Sequence, residues 1–527
     1  MNKMCLSRLL DLCKDAGPGL AGILLFSFLL PAIQAQEIER STSTIRVTTR
    51  LVLLDASVVD AKGKPVEGLT SQDFEVLEDD HPQKIASFDA SRERLLPELS
   101  HRKGVTLDVT RPRQFGRAPV DMFVLDEMNT HFADASFAVR SLRAYLTKQP
   151  ELMPRAAALF TVTNSGFQLL QSYTADRDLL LRALDAHKIV YAWKLEGAKS
   201  VGSQVVDRLD ISLSAMEQIA QNAAALPGHK NLIWIGAGFP TLDPDALSKT
   251  MEKLLRDTMQ HVTDELLDAR ISLYAVDPTS NAAGLTEITS ESQLAFTAAA
   301  GDSTARLSEP FDKSLDFDRL APVSGGRVIR GLNDVDRQID LSVRLASSYY
   351  TLGYQPQGSE ADEPRFRKIR IVCKRPGATV LSREGYYASP PTALVAGKDV
   401  VQSDLNIAAA AAVPFSALSV RVEGSGGSYV VHVQSSGLSW HPVEDGEQSA
   451  QVQVMAVALS ASNAVRGHRL QSMTAHSTAT LDAAGGNRDA AFKIEFTTPP
   501  KTRTLRFVVR DAATGHMGTA DLVIDQK

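Results

Sequence analysis

The chain has 527 residues, of which 44% are hydrophobic and 22% charged, a balance that excludes a disordered polypeptide. That length is too great for one hydrophobic core and calls for roughly three or four domains. A formal charge of -6, without a Lys/Arg run, leaves no electrostatic footprint for nucleic acid.

The first segment carries Lys3, Arg8 and Lys14, then the apolar run Leu20–Leu30, Pro31, and Ala32-Ile33-Gln34-Ala35. It reads as a secretory signal peptide over 1–35, cleaved before Gln36. The alternative is an uncleaved anchor, but the run is shorter than the ~20 apolar residues a bilayer span needs. The expected location is extracytoplasmic (periplasmic, secreted or cell-surface), with no membrane span after cleavage. Cys5 and Cys13 fall in the leader, so the mature chain keeps only Cys373 and no internal disulfide.

A β segment over 36–95 follows. Residues 45–60 are rich in β-branched and apolar side chains, and Asp73–Glu78 and Lys84–Phe88 add two short strands. The polar, basic stretch 96–117 reads as a connector. Over 118–346 the period changes. Met122–Leu125, Ala157–Val162, Leu232–Ile235 and Ile271–Val276 are nearly continuous apolar runs, as in strands covered on both faces. Between them, Ala138, Leu142, Tyr145 and Leu146 share one helix face, as do Leu247, Met251, Leu254, Leu255, Val262 and Leu266. Alternation of strand and helix predicts a parallel sheet with helices on both sides. Phe167–Tyr173, after the Asn164-Ser165-Gly166 turn, fits an antiparallel edge strand.

Strand character returns over 347–389, in Ser348–Tyr354, Phe366–Cys373 and Thr379–Arg383. The β segments before and after the α/β region are each too small for a stable core. They are expected to pair into one sandwich with the α/β domain inserted. Val52, Leu54, Val58, Phe74 and Val76 would then pack against Tyr350, Leu352, Ile369 and Ile371. The rival arrangement is a tethered N-terminal domain. Pro390-Pro391 and Ala408–Ala412 mark a linker over 390–414. Short strands separated by Gly, Asn and Asp turns predict an antiparallel sandwich over 415–527.

Four motifs stand in order: Gly68-Leu69-Thr70-Ser71-Gln72-Asp73-Phe74, Leu125-Asp126-Glu127-Met128-Asn129-Thr130, Gly325-Gly326-Arg327, and Ser348-Tyr349-Tyr350-Thr351-Leu352-Gly353-Tyr354. On these the chain resembles, over roughly residues 45–390, the VWFA-related family described from acidobacteria. That family carries a divergent von Willebrand factor A (VWA) domain. The resemblance implies a VWA-like, Rossmann-like fold: a mostly parallel sheet with helices on both faces, inserted in or flanked by a β-sandwich.

In VWA domains an Asp-x-Ser-x-Ser loop, a Thr and a second Asp hold magnesium at a metal-ion-dependent adhesion site. Asp126 and Thr130 match that first loop, and Asn129 offers an oxygen one position out of register. Met128 offers none, and Gly236-Ala237-Gly238-Phe239 lacks the expected Asp. Magnesium demands near-ideal octahedral oxygen geometry, so the adhesion site reads as degenerate. Weak Mg2+ or Mn2+ binding at Asp126, Asn129 and Thr130 is one expectation. A capped loop whose side chains accept backbone N–H groups is the other. The scattered His81, His101, His131, His187 and His229 show no zinc-ligand spacing. Asp277 reads as a turn residue.

The function expected is an exported, non-catalytic protein-interaction (adhesion or scaffold) protein. Its partner would meet the sheet's end at Asp126, Glu127, Asn129, Thr130, Gly236, Gly238 and Phe239. A metal-dependent hydrolase using the same edge and a purely structural envelope component are the alternatives.

Overall fold

The computed structural model describes residues 51–90, 96–192, 203–239, 242, 247–279, 310–311, 315–329, 334–346, 348–356, 365–388, 398–443, 447–478 and 489–524. The leader lies outside them, and none of their helices is long and apolar enough to cross a membrane.

The first layer is a pair of four-stranded sheets. Its strands are β1 (Val52–Val59), β2 (Phe74–Glu78), β3 (His81–Gln83) and β4 (Ile85–Asp89) from one side of the α/β region. From the other side come β11 (Tyr350–Tyr354), β12 (Arg365–Cys373), β13 (Thr379–Ser382) and β14 (Gly385–Ala388). The orders are β13-β1-β11-β4 and β14-β12-β2-β3, so each sheet needs both segments. Leu54 lies opposite Leu352 in the first, and Val76 opposite Ile371 in the second. Val52, Leu54, Val58, Phe74, Val76, Tyr350, Leu352, Ile369 and Ile371 share one buried core. Neither segment could close that core alone, which is the physical reason for pairing across the long excursion.

The motifs behind the family resemblance have local structural work here. Thr70 and Asp73 form a reciprocal capping box at a short 3-10 turn. The Tyr350 hydroxyl donates to Val66 O and accepts from Leu69 N–H, tying that turn to β11.

The excursion is a six-stranded sheet of order β10-β9-β8-β5-β6-β7. Its strands are β5 (Val120–Asp126), β6 (Leu152–Thr163), β7 (Gly166–Asp176), β8 (Lys230–Ile235), β9 (Ile271–Val276) and β10 (Arg327–Ile329). All pair in parallel except β7, which turns back on β6 as the antiparallel edge. Side chains alternate along β5. Phe123 and Leu125 face helices α1 (Phe132–Lys148), α2 (Arg177–Ala186) and α6 (Val335–Leu345). Met122 and Val124 face α3 (Ser203–Ala223), α4 (Lys249–Asp268) and α5 (Phe317–Ser324). This is a three-layer α/β domain. One expected core residue, Leu254, instead points outward and is 58% exposed.

The C-terminal unit is antiparallel. Strands β15 (Val420–Ser425), β16 (Ser428–Gln434) and β20 (Asp489–Glu495) form one sheet. The other contains β17 (His441–Pro442), β18 (Glu447–Leu459), β19 (Val465–Thr478), β21 (Thr504–Asp511) and β22 (Met517–Val523). Tyr429, Val431 and Val433 pack against Val452, Val454, Leu505, Phe507 and Val509 between them.

Two readings of the sequence need correction. Residues 96–117 are not a bare connector: Leu96, Leu107, Val109 and Phe115 are buried, and Phe115 meets Tyr173 edge-on at 5.4 Å. Residues 398–410, read as linker, form helix α7, with Leu405, Ala408 and Ala409 buried in the α/β domain's core. Alanine is the strongest helix former, and its small side chain lets the helix sit close between two layers. Arg506 Nη1 donates to Ala411 O at 2.6 Å, and Arg510 Nε to Asp404 Oδ2 at 2.8 Å, locking α7 onto β21.

Candidate functional site at the carboxyl end of the sheet

Strand β5 ends at Asp126 and β8 at Ile235, in the middle of the sheet, so their following loops meet at its carboxyl edge. The Asp126 carboxylate is 1% exposed. It accepts from the Asn129 N–H at 2.9 Å, from Asn129 Nδ2 at 3.0 Å and from Trp234 Nε1 at 3.0 Å. Burial pushes its pKa up, and the Asn129 and Trp234 donors oppose that shift. Asn129 Nδ2 also donates to Ser212 Oγ on α3, and Ser212 Oγ donates to Arg208 O. Arg208, 4% exposed, adds its positive field to the same carboxylate.

The second loop is pressed against the first. Thr130 Oγ1 accepts from the Ala237 N–H at 3.1 Å. A Cβ on Gly236 would lie 2.5 Å from Asp126 Cβ and 2.7 Å from Thr130 Oγ1, so only glycine lets the loops touch. Gly238, at φ +70°, would place a Cβ 2.4 Å from the Phe317 ring. Phe239 is 3% exposed and packs edge-on against Phe317 at 5.4 Å.

The Asp126 oxygens already face N–H donors, two of them on Asn129, and a guanidinium lies nearby. Rotating the Asn129 amide would aim its oxygen at a carboxylate, so the network fixes its orientation. Thr130's hydroxyl oxygen is engaged by backbone. In this arrangement Asp126 and Thr130 accept loop N–H groups as caps, whereas Asn129 Oδ1 is buried without a hydrogen-bond partner. Met128 is fully buried, as its side chain requires. Asp277 closes its own turn by accepting from Thr279 N–H and Thr279 Oγ1.

The expected partner-binding side chains are likewise turned inward. Asp126, Glu127, Asn129, Thr130, Gly236, Gly238 and Phe239 are all buried. Burial follows from what each does: four make polar contacts inside the chain, and the rest supply close approach or core packing. Glu127 accepts from Val190 N–H at 2.8 Å and from Thr161 Oγ1 at 3.2 Å, and it pairs with His187 Nε2. It thereby pins the strap 187–191 to the end of β5, while Asn164 Nδ2 donates to Tyr191 O at 2.7 Å. What that strap exposes is apolar: Val190 is 39% and Tyr191 55% exposed, beside Phe132 at 45%. The Phe132 and Tyr191 ring centroids are 6.5 Å apart. Neither aromatic belonged to a periodic pattern, so the sequence offered only Glu127's position as a clue. Trp234 was hidden inside a strand that read as core, and Ser212 lies in a helix whose pattern gave no site signal.

Asp126→Ala is expected to destabilise the chain by roughly 2–4 kcal/mol, because it strands the Trp234 and Asn129 donors in a dry interior. Urea unfolding with and without Mg2+ checks this. A loss seen only when Mg2+ is present would show that a cation, not these donors, holds the loop.

No family model matches the chain, and no curated protein matches it. Among solved structures, the SpRpn10 VWA domain is 16% identical, covering 31% of this chain and 89% of that one at TM-score 0.17. An endonuclease/exonuclease/phosphatase from Beutenbergia cavernae DSM 12333 is 12% identical, covering 35% of this chain and 39% of that one at TM-score 0.11. Likenesses of this size assign neither a fold nor an activity.

Proposed function

We propose that this is an exported, non-catalytic interaction protein that binds a protein partner at the carboxyl end of its parallel sheet. The scaffold is a divergent VWA-type domain whose adhesion loop is closed by its own N–H donors. The recognition surface is the apolar group Phe132, Val190 and Tyr191 on the rim of that loop. The observation that carries this reading is an exposed aromatic pair on a strap held from below by Glu127 and Asn164. Rigid aromatic anchors give large contact area at small entropic cost, which is why they dominate protein interfaces. Ligand sites of open parallel sheets also lie at this edge. The four sequence motifs support the VWA-type scaffold, and the apolar leader over 1–35 supports export.

The double variant Phe132→Ser/Tyr191→Ser tests the surface. Capture of envelope proteins by the full chain should fall about tenfold or more, since losing two anchors costs at least ~1.4 kcal/mol. The melting temperature should not change, because both side chains are half-exposed. Undiminished capture by the double variant would move the binding surface elsewhere.

A further inference from the structure

A second group of chemically able side chains lies where the α/β domain meets helix α7. Glu217 comes from α3, His261 from α4 and Asp404 from α7. One carboxylate oxygen of each acid and a ring nitrogen of His261 lie within 4.8 Å of one another. Glu217 is 4% and Asp404 2% exposed, while His261 is half-buried.

The polar accounting of this group does not close. Asp404 Oδ2 accepts from Arg510 Nε at 2.8 Å, which serves one oxygen of one acid. Glu217 Oε1 is buried with no hydrogen-bond partner, and so is His261 Nε2. His261 Nε2 stands 3.7 Å from Asp404 Oδ1, too far for a hydrogen bond. Buried polar atoms without partners are rare and costly, and both of these belong to one cluster of ligand-type side chains. Three carboxyl groups, on Glu217, Asp404 and the neighbouring Glu265, gather here against one guanidinium, that of Arg510.

We propose that Glu217, His261 and Asp404 bind one divalent cation of the zinc class, which clamps helix α7 to helices α3 and α4. One imidazole nitrogen with two carboxylates suits zinc or a neighbouring first-row ion better than magnesium or calcium, which prefer oxygen alone. Ligands at ~2.0–2.2 Å from one ion stand up to ~4 Å apart, a span the 3.7 Å His261–Asp404 separation already meets. Small rotamer adjustments bring in Glu217. Ligands from facing helices building a site within a helical layer is a familiar arrangement. Nothing in the sequence signals this group, because the three residues sit on separate helices with no short-range spacing between them.

The test uses the full chain stripped of metal with a chelator, then titrated with Zn2+ alone and with Co2+ as a spectroscopic stand-in. The expected result is one ion per chain, a raised melting temperature and visible Co2+ absorption bands characteristic of nitrogen and oxygen ligation. Glu217→Gln and His261→Ala should each weaken Zn2+ by at least the ~10–100-fold seen when a supporting group is removed. Both variants without metal should melt no lower than the metal-free parent, since Glu217→Gln keeps the side chain's volume while replacing one of three crowded carboxyl groups by a neutral amide, and His261→Ala deletes a ring nitrogen that lacks a partner. Failure of the parent chain to take up Zn2+ would overturn the proposal. Equal affinity in the parent and both variants would overturn it as well.

Discussion

Replacing Asp55 with alanine is expected to cost about 3–5 kcal/mol, as breaking one side of a buried ion pair does. Asp55 lies on β1, in the sandwich, but its carboxylate reaches into the base of the α/β domain. Arg270 donates from Nη2 to Oδ1 at 2.5 Å and from Nε to Oδ2 at 3.1 Å. His229 Nδ1 lies 3.1 Å from Oδ2, and Thr351 Oγ1 donates to Oδ1 at 2.7 Å. Asp55→Ala leaves the Arg270 charge and a histidine facing an apolar wall. The effect should be largest at the seam between the two layers.

The pH dependence has a definite sign. Burial alone would raise the Asp55 pKa, but the His229 hydrogen bond and the Arg270 charge overcome it and hold the group well below the carboxylate range. A group depressed on folding contributes stability that is fully present above its unfolded pKa of about 3.9 and is lost as pH falls below it. The difference between parent and Asp55→Ala should therefore be constant near neutrality and shrink in acid. Urea unfolding from pH 7 down to pH 3 reads it. A difference under about 1 kcal/mol at pH 7 would mean the pair behaves like a solvent-screened surface bridge.

Gly326→Ala should be comparably severe. Gly325, at φ +94°, ends helix α5, and Gly326 then passes directly over β9. A Cβ on Gly326 would fall 1.8 Å from Leu273 O and 2.4 Å from Leu273 C, both backbone atoms in the middle of β9. Backbone there cannot yield without opening the β9–β10 pairing, so the cost should reach the upper end of overpacking, ~3 kcal/mol or more. Gly377→Ala is the control. Its φ of +74° strains alanine, but no atom lies within 4 Å of the added carbon, so about 1 kcal/mol is expected. Equal melting temperatures for the two variants would show that the close approach at Gly326 is unimportant.

Much of the architecture was written in side-chain period. Continuous apolar runs marked β5, β6, β8 and β9, because strands covered on both faces have no polar side to show. Alternation in Val52, Leu54 and Val58, set against Leu352 and Ile371, marked two half-cores in need of each other. Helix α7 was illegible because an alanine run reads equally as linker or helix, and only Leu405 betrays a buried face. Strand β19 shows no apolar period, because its polar residues, such as His468, Arg469 and Gln471, belong to a largely solvated strand that pairs with β18. The candidate site was half legible. Asp126 at the end of β5 gave its position, but the donors that fill it, Trp234 and Ser212, arrive from distant elements. Composition cannot report such a convergence. The exposed Phe132–Tyr191 pair depended on Glu127 pinning a strap some sixty residues downstream, a contact of the same long-range kind.

The central claim is that recognition at this edge is apolar and independent of metal. The most direct test measures partner capture by the full chain in EDTA and again in millimolar Mg2+, with the Phe132→Ser/Tyr191→Ser variant alongside. The account predicts equal capture by the parent chain in both buffers and loss of capture by the variant in both. Capture that vanishes in EDTA and returns with Mg2+, while the aromatic variant binds normally, would contradict it.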